Sequence, residues 1–276
     1  MPKETVPILM YHAVAENPAA ATFRLSVSPE ALEGQLTFLV ERGFTGLTFS
    51  AVAEAFATGA PLPKRPVVFT FDDGYADFAR EAWPLLDRYG FPATVFVTTG
   101  WVTDAGPRSE GMALDEMLTW SQIRDLAAAG VEIGAHSHSH AQLDQLPEAE
   151  LSRELSDSRT QLEECTGVAI RTLAYPFGYS NKRVRLAVRS AGYRYAASVR
   201  NVLATPYDDP FRIPRLTVRR NTDLATFAEV MDGPTDQPFR RDRLLTAGWA
   251  SVRAARRATN WVRRNAGQRR GARAGR

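Results

Sequence analysis

The chain has 276 residues, 44% of them hydrophobic and 24% charged, enough to bury the core of one large domain and unlike a disordered polymer. Its single cysteine, Cys165, excludes an internal disulfide framework, and no apolar run approaches the roughly 18 residues of a membrane span. The net charge of +3 is unevenly divided: residues 239–276 hold twelve arginines against one acidic residue, Asp242, a charge of +11, which leaves −8 on residues 1–238. The chain therefore reads as an acidic domain, 1–238, followed by a basic tail, 239–276. The start, "MPKETVPILMYHAV", lacks the pattern of a signal peptide, so a cytoplasmic location is expected.

In chain order, "PILMYHAV" reads as a short buried strand. "SVSPEALEGQLTFLVERG" reads as a helix capped by Ser28, with Pro29 in its first turn and an apolar stripe of Leu32, Leu36, Leu39 and Val40. "RPVVFTFDDG" is a nearly continuous apolar run, as expected of a parallel strand covered on both faces. A helix over "DFAREAWPLLDRYG", a strand over "PATVFVTT" and a loop over "GWVTDAGPRSEGMALDEM" follow. "TWSQIRDLAAAG" is a helix with Thr119 and Gln122 spaced for a capping box, and "VEIGAHS" is a strand. The long helix "PEAELSRELSDSRTQLEECTG" leads to the strand "RTLAYPFG", the helix "NKRVRLAVRSAG", the strand "RYAASV" and a last strand in "FRIPRLTV".

Strands and helices alternate at short spacing, which predicts right-handed βαβ units and a parallel sheet. About seven such units favour a closed, irregular (β/α)7-type barrel over an open doubly wound sheet, and no glycine-rich phosphate loop follows the first strand. In such barrels chemistry gathers where the strands end. His12, Asp72, Asp73, His136 and the "YPFG" turn all stand at predicted strand ends.

Three of the four histidines crowd into "GAHSHSHAQL". If a helical turn follows the strand, His136 and His140 share a face, spaced to bind one divalent metal with an oxygen ligand, while His138 points elsewhere; a solvated polar turn is the plainer reading. Asp72 and Asp73 end an apolar strand, where unpaired carboxylates are costly. Their side chains diverge, so one can ligate a metal while the other acts as a base; "DDG" is also ordinary turn chemistry. "AYPFGYSN" is a pocket wall with a backbone N–H for an oxyanion, or a plain strand-ending turn.

The stretches "ILMYHAV", "LPKRPVVFTFDDGYADF", "WPLLDRYGFPATVFV", "LTWSQIRDLAAAGVEIGAHSHSHAQL", "LAYPFGYSN", "AGYRYAASV" and "RIPRLTV" occur in the order seen in NodB-homology polysaccharide deacetylases. Over residues 6–230 the chain resembles this family, carbohydrate esterase family 4, in the branch that begins with a "YH" motif and includes poly-N-acetylglucosamine deacetylases. The resemblance implies de-N-acetylation of an N-acetylated sugar in a polysaccharide, oligosaccharide or lipid-linked glycan. It implies a divalent metal, Zn2+ first and Co2+, Ni2+ or Mn2+ as alternatives, on Asp73, His136 and His140. It further implies Asp72 as base, the Phe177 N–H as oxyanion donor, His12 as general acid, and Tyr175, Pro176 and Tyr11 as substrate contacts. No histidine follows His140, so the C-terminal acid histidine of many relatives is absent, and Ala174 stands where many have an arginine bracing the catalytic aspartate. Arg215, or failing it Arg212, is expected to take that part. The competing readings are hydrolysis of a non-sugar amide and a catalytically inactive carbohydrate-binding relative.

In the tail, Leu244, Leu245, Trp249 and Val252 recur at roughly helical spacing, with Trp261 and Val262 further on and arginines between. This predicts a peripheral anchor on an anionic membrane at its inner face, against the alternative of an unstructured tail. No specific nucleic-acid partner is expected, since the basic pI belongs to the tail.

Overall fold

A computed structural model describes residues 5–233; the boundary at 238 and the tail lie outside the described residues. Seven parallel strands close a barrel: β1 (Ile8–Tyr11), β3 (Pro66–Phe71), β4 (Ala93–Val97), β5 (Glu132–Ala135), β6 (Thr172–Ala174), β7 (Tyr195–Val199) and β8 (Ile213–Thr217). The first strand closes it, pairing Leu9 with Leu216 of β8 and Ile8 with Val68 of β3. An eighth strand, β2 (Thr45–Leu47), lies along only the first half of β3.

Helices flank the barrel: α1 (Pro29–Glu41), α3 (Trp83–Arg88), α4 (Trp120–Ala128), α5 (Glu148–Thr166), α6 (Lys182–Ser190) and α7 (Leu224–Asp232). The local signals act as read. Ser28 Oγ accepts the Ala31 N–H at 3.2 Å, and Thr119 and Gln122 form a reciprocal capping box. The helix expected from Asp77 opens instead as one widened π turn, Phe78–Ala82, before α3. Pro84 explains it, because proline lacks an N–H and crowds the preceding turn.

Two parts were not foreseen. One is α7. The other is β2 with α2 (Phe49–Thr58), whose Phe49, Val52 and Ala53 pack with Ile8, Val68, Tyr195 and Ile213 at the N-terminal mouth of the barrel. Glu132, at the start of β5, accepts the Ser50 N–H (3.0 Å) and the hydroxyls of Thr94 (2.8 Å) and Thr172 (2.9 Å). That end is thus closed by a helix, and the opposite end, where the strands finish, is left for chemistry.

Candidate active site

Asp72 and Asp73 follow β3 directly, and their environments differ. Asp72 is 3% exposed, and Arg215, fully buried on β8, holds it with two parallel bonds: one guanidinium nitrogen to Oδ1 at 2.6 Å and the other to Oδ2 at 2.7 Å. Arg215 is itself steadied by Thr70 Oγ1 at 3.0 Å. Burial alone would raise the Asp72 carboxyl, but the Arg215 charge, aided by His136, holds it below the usual carboxylate range. Arg215 therefore stands in the bracing position, and Arg212 is instead exposed, near Arg185 and Arg200.

Asp73, in the left-handed region at φ 75°, turns its carboxylate the other way. Its Oδ1 lies 3.3 Å from Nε2 of His136 and 3.3 Å from Nε2 of His140. His136 Nδ1 donates to the Ala174 carbonyl at 2.9 Å, which leaves Nε2 with its lone pair toward Asp73 in the neutral ring. One carboxylate oxygen and two imidazole nitrogens thus converge in a buried spot. Among the described residues this is the cluster able to hold a metal ion, and Asp73 Oδ1 has no hydrogen-bond donor of its own there. Such a donor set fits a divalent cation. Without a metal, burial opposes the charge on Asp73, and N–H donation from protonated His136 and His140 rings holds its carboxyl well below the ordinary range.

The two histidines do not meet on a helical turn. Residues 136–140 form an irregular loop with Ser137 at φ 65° and His140 at φ 61°, and Ser137 Oγ accepts the His140 N–H at 3.0 Å. Two left-handed residues fold the loop back, and this brings residues four apart together. His138 points away from Asp73. Its Nδ1 lies 2.8 Å from Thr99 Oγ1 and 3.3 Å from Gln161 Nε2, while Glu154 accepts the N–H groups of His138 and Ser139, both at 2.9 Å.

His12 leaves β1 beside this group, and its buried Nδ1 has no partner among the described residues. Burial lowers its pKa below the ordinary histidine value; Asp73 and Asp72 oppose that shift, and Arg215 and His136 add to it. Phe177 lies in the left-handed region at φ 59°, half-exposed, with its ring 4.7 Å from His140 and 5.5 Å from Tyr179. Gly178 donates to Tyr175 (2.8 Å) and Tyr179 to Pro176 (3.2 Å), closing the turn around it.

Two expected substrate contacts are not at the site surface. Tyr11 is fully buried between Phe69, Phe71 and α1, its hydroxyl donating to Gln35 at 2.7 Å. Alternation along β1 sends it outward when His12 is at the site. Tyr175 is also fully buried, donating to the Phe211 carbonyl at 2.9 Å. Pro176 is buried in the turn. Unforeseen neighbours replace them: the Trp101 ring is 4.7 Å from His140, and Trp101 packs with Tyr75, Met117 and Ala13. Trp101 follows β4, so the strand-end rule applied there would have found it.

The polysaccharide deacetylase family profile matches residues 59–196, half of the chain, which includes both aspartates, the histidine loop and the "YPFG" turn. The chain belongs to the polysaccharide deacetylase family. A poly-beta-1,6-N-acetyl-D-glucosamine N-deacetylase of Staphylococcus aureus is 27% identical over 202 residues, 70% of this chain and 68% of that one. Among solved structures, the Streptococcus pyogenes deacetylase PplD in complex with acetate matches this chain with a TM-score of 0.75 and 25% identity, over 84% of this chain and 100% of that one. IcaB from Ammonifex degensii shares the fold, with a TM-score of 0.73 and 24% identity over 83% of this chain and 97% of that one.

Proposed function

We propose that the protein hydrolyses the N-acetyl group of an N-acetylglucosamine unit in a glycan, releasing acetate, with a divalent ion held by Asp73, His136 and His140. The observation that carries this reading is the split between two adjacent aspartates, Asp72 clamped by Arg215 and Asp73 facing two imidazoles. The S. aureus relative supports the sugar and the acetate complex of PplD the leaving acid.

A divalent ion held there by Asp73, His136 and His140 would supply Lewis acidity for hydrolysis of the acetamide. Asp72, held ionised by Arg215, takes the proton of that water as general base. The Phe177 N–H donates to the carbonyl oxygen as negative charge develops on it. His12, whose buried Nδ1 has no partner among the described residues, gives a proton to the departing amine. Trp101 and Tyr75 pack with Ala13 and Met117 in an apolar cluster beside His140.

Acetate release tests the reading, measured on chitooligosaccharides and on poly-β-1,6-N-acetylglucosamine with chelator-treated and metal-restored protein. Metal-dependent acetate release is expected. Release that is indifferent to chelation and reconstitution, or no release from any N-acetylated glycan alongside release from a simple amide, would overturn it.

A further inference from the structure

From Cys165 to Tyr207 the sequence holds seven basic residues and no acidic one. Carried to Arg212, which adds Asp208, Asp209 and one arginine, residues 165–212 bear +6; since residues 1–238 sum to −8, the remainder of that body bears −14. The fold lays the positive charge along α6. Lys182, Leu186 and Arg189, at i, i+4 and i+7, are exposed on its outer face, while Val184 and Val188 are buried beneath. The helix begins three residues after Tyr179, whose ring stacks on Phe177 beside His140. At its far end the Arg194 N–H donates to the Arg171 carbonyl at 2.8 Å, which sets two more exposed cations next to each other.

Neighbouring cations are already neutralised: Arg183 by Glu148, Arg185 by Asp209 and Arg200 by Asp208. Among the described residues Lys182, Arg189, Arg194 and Arg171 form no ion pair. A row of exposed, uncompensated cations thus leads away from the rim of the catalytic site on an otherwise acidic body.

We propose that this row binds an anionic glycan, a chain bearing carboxylate or phosphate groups, and holds it while one of its N-acetylated units occupies the site. The inference rests on the deacetylase reading and adds to it the charge of the substrate. A chain suits the row better than a bilayer does. The face offers one exposed leucine to insert, and the −14 of the remaining body would be repelled by an anionic membrane.

The test compares the full chain with its Lys182→Glu/Arg189→Glu variant, which keeps helical residues and places an acid in the first turn, where it suits the helix dipole. Binding is measured at low salt to hyaluronan oligosaccharides, which alternate N-acetylglucosamine with glucuronate, to neutral chitohexaose, and to phosphatidylglycerol vesicles. The 239–276 segment is present in both proteins and cancels. The variant is expected to bind hyaluronan oligosaccharides about tenfold more weakly and chitohexaose unchanged, since reversed charges repel an anionic partner and ignore a neutral one. Equal hyaluronan affinity in the two proteins, or a loss seen on vesicles alone, overturns the proposal. Because this readout is binding, it stands apart from acetate release: failure to deacetylate any glycan sinks the enzymatic reading, whereas failure here leaves that reading intact with a neutral substrate.

Discussion

At the scale of single residues, the site depends on giving two adjacent carboxylates different partners. Arg215 clamps Asp72 through both carboxylate oxygens and keeps it away from the Asp73–histidine cluster; in the proposed reaction Asp72 is the base. Arg215→Lys keeps a charge but not the two-pronged geometry, so part of the force holding Asp72 ionised is lost and its pKa rises. A base must be deprotonated to work, so the acid limb of the pH–rate profile is expected to move to higher pH, with kcat down by about 10- to 100-fold, a loss of general-base efficiency. KM should change little, because Arg215 is fully buried and does not reach solvent. An unmoved acid limb would separate Arg215 from the base. His136→Ala is expected to lose both bound metal and turnover, whereas His138→Ala keeps its metal, since its ring faces Thr99 and Gln161. Metal content by mass spectrometry after desalting checks both, and normal content in His136→Ala would remove it from the ligand set.

At the scale of elements, the turns that follow strands carry the function, and they are held by unusual backbone. Gly178 shows how tightly. A Cβ there would lie 2.6 Å from Val199 Cβ, and φ is +71°. Gly178→Ala should therefore cost about 1–3 kcal/mol of stability and displace the Phe177 amide, lowering kcat more than it raises KM; thermal unfolding and steady-state kinetics test the two parts. Asp77, which opens the turn before α3, ties a second loop: its Oδ2 accepts the Val14 N–H at 3.0 Å, two residues after His12. Burial pushes its carboxyl up to about 7, with the Val14 N–H opposing and Asp115 adding to the shift. The folded state then binds the Asp77 proton more tightly than the unfolded chain does. Stability from this group is thus present at low pH and lost as pH rises from the ordinary carboxylate range to about 7, at up to about 1.4 kcal/mol per pH unit. Asp77→Asn can still accept from Val14, and its Tm relative to the wild type should climb across that window; a constant difference in Tm would refute the shift. Much of this level was legible in the chain. Strand periodicity and the Ser28 and Thr119 caps placed the elements, and His12, Asp72, Asp73, His136 and the "YPFG" turn do stand just past strand ends. The route of the histidine loop was not, because two non-glycine residues at positive φ leave no compositional mark. Nor was α2, whose mixed apolar sequence gives a helix meaning only once the barrel mouth it closes exists. Tyr11 does not line the site for a related reason: adjacency to His12 in sequence puts it on the opposite face of a strand, against Gln35.

At the scale of the whole molecule, charge is divided three ways: a net −14 over residues 1–164 and 213–238, a basic row that runs along α6, and the +11 of residues 239–276. These act over different ranges. The α6 row is a short-range device that works only with a ligand already at the rim. Twelve arginines in 38 residues exert a long-range attraction to any anionic surface, each contributing about 1 kcal/mol near anionic lipid, although salt screens it within roughly a Debye length. The −8 of residues 1–238 opposes that attraction. Full-length protein should therefore sediment with phosphatidylglycerol vesicles at low salt and be released as salt rises, whereas a protein ending at residue 238 should stay in the supernatant throughout. Retention of binding at high salt would show that Trp249 and Trp261 insert as well as the arginines attract, because burial of apolar surface is not screened. Equal sedimentation of the two forms would move the membrane contact to residues 1–238 and deny the tail any part in it.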